Sequence, residues 1–100
     1  MANDSQNDGL SLFRLRAFVA VVEAGGYSAA ARVLNVAQPT VSFHVRALEK
    51  LYGMPLLLSR ERRIVLTAGG EAVYRTAQRL LRDAASLELT VRQIKAVDFF

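Results

Sequence analysis

The chain has 100 residues, 52% of them hydrophobic, with 13 Lys and Arg against 9 Asp and Glu and a formal charge of +4. That length holds one small domain, and the absence of cysteine excludes disulfides, Cys-based zinc sites and thiol nucleophiles and fits a reducing cytoplasm. No apolar run reaches transmembrane length, and the opening MANDSQNDG lacks the basic start and apolar core of a signal peptide.

In chain order, residues 1–9 read as a disordered leader. Ser11 is placed to cap a first helix, in which Leu12, Leu15, Phe18, Val19 and Val22 follow at helical spacing. Gly25-Gly26 stops that helix, because glycine enters the left-handed conformation cheaply. Ser28 is placed to cap a second, short helix whose Ala30, Ala31 and Leu34 face a core; the small alanines let another backbone come close. Asn35 tolerates the left-handed turn that ends it. Pro39 suits the first turn of a third helix, 38–52, where its missing N–H is no loss. Val41, Val45, Leu48 and Tyr52 form the buried stripe of that helix, and Gly53 closes it.

Leu56–Leu58 and Ile64–Leu66 are short apolar runs around the basic tip Ser59-Arg60-Glu61-Arg62-Arg63, the pattern of a small β-hairpin, or wing. Thr67 is placed to cap the last helix, with Gly69 and Gly70 weakening its first turn. Val73, Ala77, Leu80, Ala84, Leu87, Val91 and Ile94 then recur at alternating steps of four and three, a heptad seam of about three repeats. A helix over 67–97 runs about 45 Å at about 1.5 Å per residue. It outreaches so small a head, so part of its apolar side is expected to pack on a second chain. The division is a leader (1–9), a head (10–66), a linker helix (67–97) and a short tail (98–100).

Two helices joined by so short a turn make the shape that fits the major groove of DNA. From Gly9 to Leu66 the head carries eight bases and three acids, a surface that concentrates near polyanions. The third helix offers Gln38, Thr40, Ser42, Phe43 and His44 at its N-terminal end, the usual reading end of a recognition helix. Gln38 can pair bidentately with adenine, or else satisfy the helix N-terminus. Ser42 and Thr40 suit bases or phosphates, although Ser42 can also bond back to the preceding turn. Phe43 either presses on a thymine methyl or tucks against the first helix. His44, the single histidine, has no carboxylate or cysteine cluster nearby, so a phosphate or base contact fits it better than metal binding or general-base work. Arg60, Arg62 and Arg63 on the wing suit the phosphate backbone or the minor groove. No Gly-rich phosphate loop, GxSxG elbow or HExxH pair occurs, so neither an enzyme nor a cofactor is expected. Two other readings stand beside DNA binding: a protein–protein module working through the heptad helix, and a small-molecule sensor, for which the chain offers little volume.

The segments FRLRAFVAVVEAGGYSAAARVLNVAQPTVSFHVRALE, GMPLLLSR and LTAGGEAV carry the ordered set AA-x-x-L, QP-x-VS, LE-x-x-x-G-x-PL and LT-x-x-G. From Leu12 to about Val91 the chain resembles the N-terminal winged helix-turn-helix of LysR-type transcriptional regulators. The resemblance implies a bacterial repressor or activator in the cytoplasm that binds interrupted palindromes in double-stranded DNA through paired heads. It further implies a homodimer through the linker helix, a tetramer in the full-length protein, and a small-molecule effector bound by a C-terminal domain. That domain is not in this sequence, which fits an excised DNA-binding fragment or a naturally short protein. Carried over, Gln38 and Pro39 match the start of the recognition helix and Ser42 its usual Ser or Thr contact. Phe43 stands where many members have Arg, His44 replaces a common Gln, and Ala37 replaces a frequent Ser. Where many members read PLFER this chain reads PLLLS, so Ser59 holds the arginine's place and Arg60 follows it. Ser28, Thr40 and Arg46 complete the implied phosphate contacts.

Overall fold

In the computed structural model, which describes residues 10–98, Ser11 opens the first helix by accepting a hydrogen bond from the Arg14 N–H at 3.1 Å. The expected leader and residues 99–100 lie outside the described residues. The elements run α1 (Leu12–Ala24), α2 (Tyr27–Leu34), α3 (Gln38–Tyr52), β1 (Leu57–Arg60), β2 (Arg63–Leu66) and α4 (Ala68–Asp98). This is the mainly helical, winged helix-turn-helix architecture that the residue pattern predicts, with a long helix behind it. None of these helices is long and apolar enough to cross a membrane.

Helix α1 is the centre of the head. Ala17, Phe18, Val19, Ala20 and Val21 are buried in succession, more than a single apolar stripe supplies, because α2, α3, α4 and β2 all pack around it. Burial therefore follows the neighbours rather than one stripe: Ala17, Ala20 and Val21 join the core, while Leu12 in the first turn is exposed. Phe18, Val21, Val41, Val45, Leu48 and Leu56 are the largest fully buried side chains, and Phe18 meets Tyr74 edge-on at 6.4 Å. Tyr52, expected on the α3 stripe, is 40% exposed, since it ends the helix just before the left-handed Gly53 and beyond the core. Ser28 does not cap α2. The cap is Gly26, in extended conformation two residues earlier, and the helix starts at Tyr27, so Ser28 lies inside the first turn with its side chain exposed.

The wing is joined to the head by a cluster of polar bonds. The Glu49 carboxylate, near the end of α3, accepts the backbone N–H groups of Leu56 at 2.8 Å and Leu57 at 3.3 Å. The Thr67 hydroxyl donates to the Pro55 carbonyl at 2.7 Å and accepts the Gly70 N–H at 2.9 Å, so it caps α4 as expected. The Thr67 N–H in turn donates to the Leu56 carbonyl at 3.1 Å. Gly70 is required by this closeness: a Cβ there would collide with the Leu56 carbonyl oxygen. Between the strands, Leu57 pairs with Leu66 and Arg60 with Arg63 in antiparallel register. The ladder thus reaches further toward the tip than the apolar runs suggest, by Ser59 and Arg60 on β1 and by Arg63 on β2.

Helix α4 has two halves of different character. In the first, Ala77 is 1% exposed within the head's own core, and Val73, Tyr74 and Leu81 pack against that core. Ala77 was expected on the seam with a second chain; it has no surface left for one, because this part of α4 covers α1. The Tyr74 hydroxyl donates to Glu23 at 3.0 Å and accepts from the Gln78 amide at 3.1 Å, tying the two helices together. From Ala85 to Val97 every residue is exposed.

Replacing Glu49 by alanine leaves two partly buried amide groups without their acceptor. Glu49→Ala is expected to lower unfolding stability by about 1–3 kcal/mol, read as a reduced urea midpoint with an unchanged m-value.

Candidate nucleic-acid interface

The helix-turn-helix depends on how α2 ends. Asn35 adopts φ 58°, ψ 47°, and its N–H bonds back to the Ala31 and Arg32 carbonyls, while the Val36 N–H returns to Ala31 at 3.0 Å. Ala30 and Ala31 are buried, so α3 can cross α2 at close range. Ala37 precedes α3 with extended backbone and no side-chain cap, the expected consequence of lacking a serine there.

With Val41, Val45 and Leu48 fully buried, the opposite side of α3 is left outward: Gln38, Pro39, Phe43, Arg46 and Lys50 are exposed and Ser42 is half-buried. This side, with α1, bounds an open groove of about 1020 Å³. Among the described residues its charged lining is Arg14, Arg46 and Lys50, with no acidic residue. Gln38 donates from its amide to the Ser42 hydroxyl at 2.9 Å, one helical turn on. That bond uses one of the two amide hydrogens and keeps the carbonyl oxygen as an acceptor, so the bidentate adenine pattern remains available. The groove brings together five of the residues expected from the sequence: Gln38, Pro39, Ser42, Phe43 and Arg46. His44, Thr40 and Ser28 do not line it, nor do the wing arginines Arg60, Arg62 and Arg63.

Phe43 is not buried against α1, although it touches the α1 side chain of Arg14. It is 60% exposed, with the Arg14 guanidinium carbon 5.8 Å from its ring centroid, within cation–π range. His44 lies beneath, half-buried, with its ring edge-on to Phe13 at 5.0 Å and to Phe43 at 5.2 Å. Its Nδ1 accepts a hydrogen bond from Arg14 Nε at 3.0 Å, which requires the neutral ring with its proton on Nε2. Burial first, and the adjacent Arg14 cation second, hold the His44 pKa below its ordinary 6.5.

On the wing, Ser59 through Arg63 are all exposed. Glu61 and Arg62 occupy the turn with φ of 51° and 67°. Positive φ at both central residues matches the right-handed twist of a two-residue hairpin, a geometry usually met by Asn-Gly. The tip therefore carries its cation where the backbone prefers glycine.

Two charged lining residues, Lys50 and Arg14, escaped the reading of the sequence. Lys50 follows Gln38, Ser42 and Arg46 at steps of four, a signal that was present. Arg14 lies thirty residues before His44, and only tertiary packing brings it to the groove.

A native state that keeps His44 neutral binds fewer protons than the unfolded chain. The associated stabilisation is complete above pH 6.5 and is lost as pH falls through the lower, folded-state pKa. The imidazole titration followed by NMR is expected to have its midpoint below 6.5, moving upward in Arg14→Ala.

Comparison with known proteins agrees with this geometry. Residues 12–71 match the profile described as bacterial regulatory helix-turn-helix protein, lysR family. The Hca operon transcriptional activator HcaR of Escherichia coli (strain K12) is 38% identical over 89% of this chain and 30% of its own length. The HTH-type transcriptional regulator TcbR of Pseudomonas sp. (strain P51) is 44% identical over 68% of this chain and 23% of its own. The chain thus spans less than a third of either relative. Among solved structures, the BenM_DBD/catB site 1 DNA complex matches with TM-score 0.81 and 34% identity, covering 85% of this chain and 94% of that one. The CbnR_DBD-DNA complex matches with TM-score 0.76 and 38% identity, covering 84% and 97%.

Proposed function

The chain belongs to the lysR family of bacterial regulatory helix-turn-helix proteins, as one of its DNA-binding domains, and on that premise we propose how it engages its operator. Helix α3 enters the major groove with Gln38 and Ser42 toward the base edges, and Pro39 and Phe43 form apolar contacts beside them. Arg46 and Lys50 neutralise phosphates along the same side, with Thr40 and Ser28 as weaker polar contacts. The wing arginines Arg60, Arg62 and Arg63 reach the flanking backbone or minor groove. The observation that carries this reading is the groove on α3, whose charged lining among the described residues is all cationic. Such a surface attracts a polyanion and releases its counterions. That two structures similar to this chain are complexes with DNA supports DNA as the ligand.

The functional unit is a homodimer on an interrupted palindrome. Leu80, Leu87, Val91 and Ile94 are between 43% and 64% exposed, and with the half-buried Ala84 they form one apolar side of α4 that starts at the head and runs outward from it. A partner's α4 laid along that side covers it. The stripe continues into an apolar hollow of about 480 Å³ lined in part by Leu10, Tyr52, Met54, Val73 and Leu80, which lengthens the contact. Val73 and Ala77 both line that hollow, Ala77 from its floor with only 1% of its surface exposed. In the whole protein a C-terminal domain binds a small-molecule effector and joins dimers into tetramers. The place of action is the bacterial cytoplasm, where the chromosome lies.

Anisotropy titration against a random-sequence duplex is expected to show binding that weakens steeply with salt; a protein–protein module would show little duplex affinity. On an operator selected from a random pool, Gln38→Ala is expected to lose about 1–3 kcal/mol and to relax base preference at one position. An equal loss on a scrambled duplex would remove Gln38 from the base-reading set. Leu87→Asp places a charge in the seam and is expected to sediment as a monomer; a persistent dimer would mean that the contact lies elsewhere.

A further inference from the structure

We propose that Arg60 and Arg63, which face each other across the last rung of the wing, act as one two-armed clamp on a single DNA phosphate. This rests on the DNA-binding reading above and adds that the two arginines work as a unit rather than as separate contacts.

The register of the hairpin brings the pair together. Leu57 pairs with Leu66, Ser59 with Ile64 and Arg60 with Arg63, which leaves Glu61 and Arg62 as the whole of the turn. Side chains alternate between the two faces of a strand. Leu57, Ile64 and Leu66 belong to the core or pack against it, so Leu58, Arg60, Arg63 and Val65 take the outer face. Residues directly opposite each other have Cβ atoms about 4.5–5.5 Å apart, and like charges at that spacing are destabilising. Both arginines are exposed, and among the described residues neither side chain makes a hydrogen bond or an ion pair, not even with the adjacent Glu61. Folding alone therefore gives no reason for two cations on this rung. An anion seated between them does: a phosphodiester carries one negative charge on two unesterified oxygens, and each guanidinium offers such oxygens a fork of donors. The spacing of the arms is set by the turn, in which Glu61 and Arg62, at φ 51° and 67°, follow the twist of the strands. The bonds from Leu56 and Leu57 to Glu49 fix the start of the wing to α3, so the seat has a set position relative to the recognition helix. Arg62 leaves from the turn itself and is not part of the pair.

One phosphate held by two arms differs from two phosphates held separately in the counterions released, since log K falls with log salt by about 0.9 for each phosphate neutralised. Binding of the 100-residue chain to a random-sequence duplex is measured by anisotropy over a salt series. The variants are Arg60→Gln, Arg63→Gln and the two combined, with thermal melts confirming that each is folded. Each single variant is expected to bind more weakly yet keep a slope close to that of the wild type, because the remaining arm still neutralises the phosphate. The double variant is expected to lose about 0.9 of slope. A loss of about 0.9 in each single variant and about 1.8 in the double means two separate phosphates and overturns the clamp. An unchanged slope in the double variant overturns the contact altogether. Without DNA, each single variant is expected to raise the urea midpoint, because it removes the opposed charges. A midpoint lowered in both would mean that the rung is favourable within the fold, and would overturn the pair as an anion seat. If the wild-type chain shows no salt-dependent duplex binding, it is the proposed function itself that fails, which separates the two claims.

Discussion

The Glu49 carboxylate is the junction on which the arrangement of this head depends. It sits near the end of the helix that carries the groove and accepts the amides of Leu56 and Leu57, the residues from which the wing starts. A carboxylate accepting amide hydrogens makes a charge-assisted bond, roughly twice as strong as a neutral one. Thr67 completes the junction from the other side by bonding Pro55 and capping α4. Recognition helix, wing and linker helix therefore meet within a few bonds of one another. A displacement of α3 is carried to the wing and to the start of α4, so elements that contact DNA stay in register with the element that reaches a second chain.

Around that junction the head is organised to present one face of α3 without slack. The helix buries Val41, Val45 and Leu48 against α1 and α2, and the small Ala30 and Ala31 let the helices cross closely. On the outward face, Gln38 is tied to Ser42 and Arg14 to His44 before any ligand arrives. Polar side chains already restricted in this way lose less entropy on binding, and the gain falls to specific contacts rather than to ordering.

Helix α4 uses one repeating pattern for two purposes. Its heptad positions run continuously from Val73 to Ile94, yet Ala77 closes the core of its own head while Leu87, Val91 and Ile94 stand exposed. The transition follows from length. The head covers the helix only as far as Leu81 and Ala84, and the remaining turns have nothing of this chain to pack against. The angle between stalk and head is held by the Tyr74 hydroxyl on Glu23, supported by Gln78. In the proposed dimer that angle sets the separation of the paired heads.

Local chemistry determined much of this protein by itself. The bounds of α3, the capping roles of Ser11 and Thr67, the left-handed turn at Asn35 and the existence of the wing follow from spacing and from the conformational preferences of single residues. Those preferences act over three or four positions and are written wherever the residues stand. Lys50 belonged to the same register as Gln38, Ser42 and Arg46 and was legible there too. What only the tertiary structure decided were matters of which surfaces meet. Ala77 and Val91, two heptads apart, occupy the same heptad position, and packing against α1 alone makes one core and the other surface. Gly70 looks like a weak helix start until the Leu56 carbonyl is found against it. Arg14 and His44 are thirty residues apart, with no period linking them, and their bond exists because α1 lies alongside α3. A linear pattern records what each residue favours locally; which distant residue it finds depends on how the helices cross.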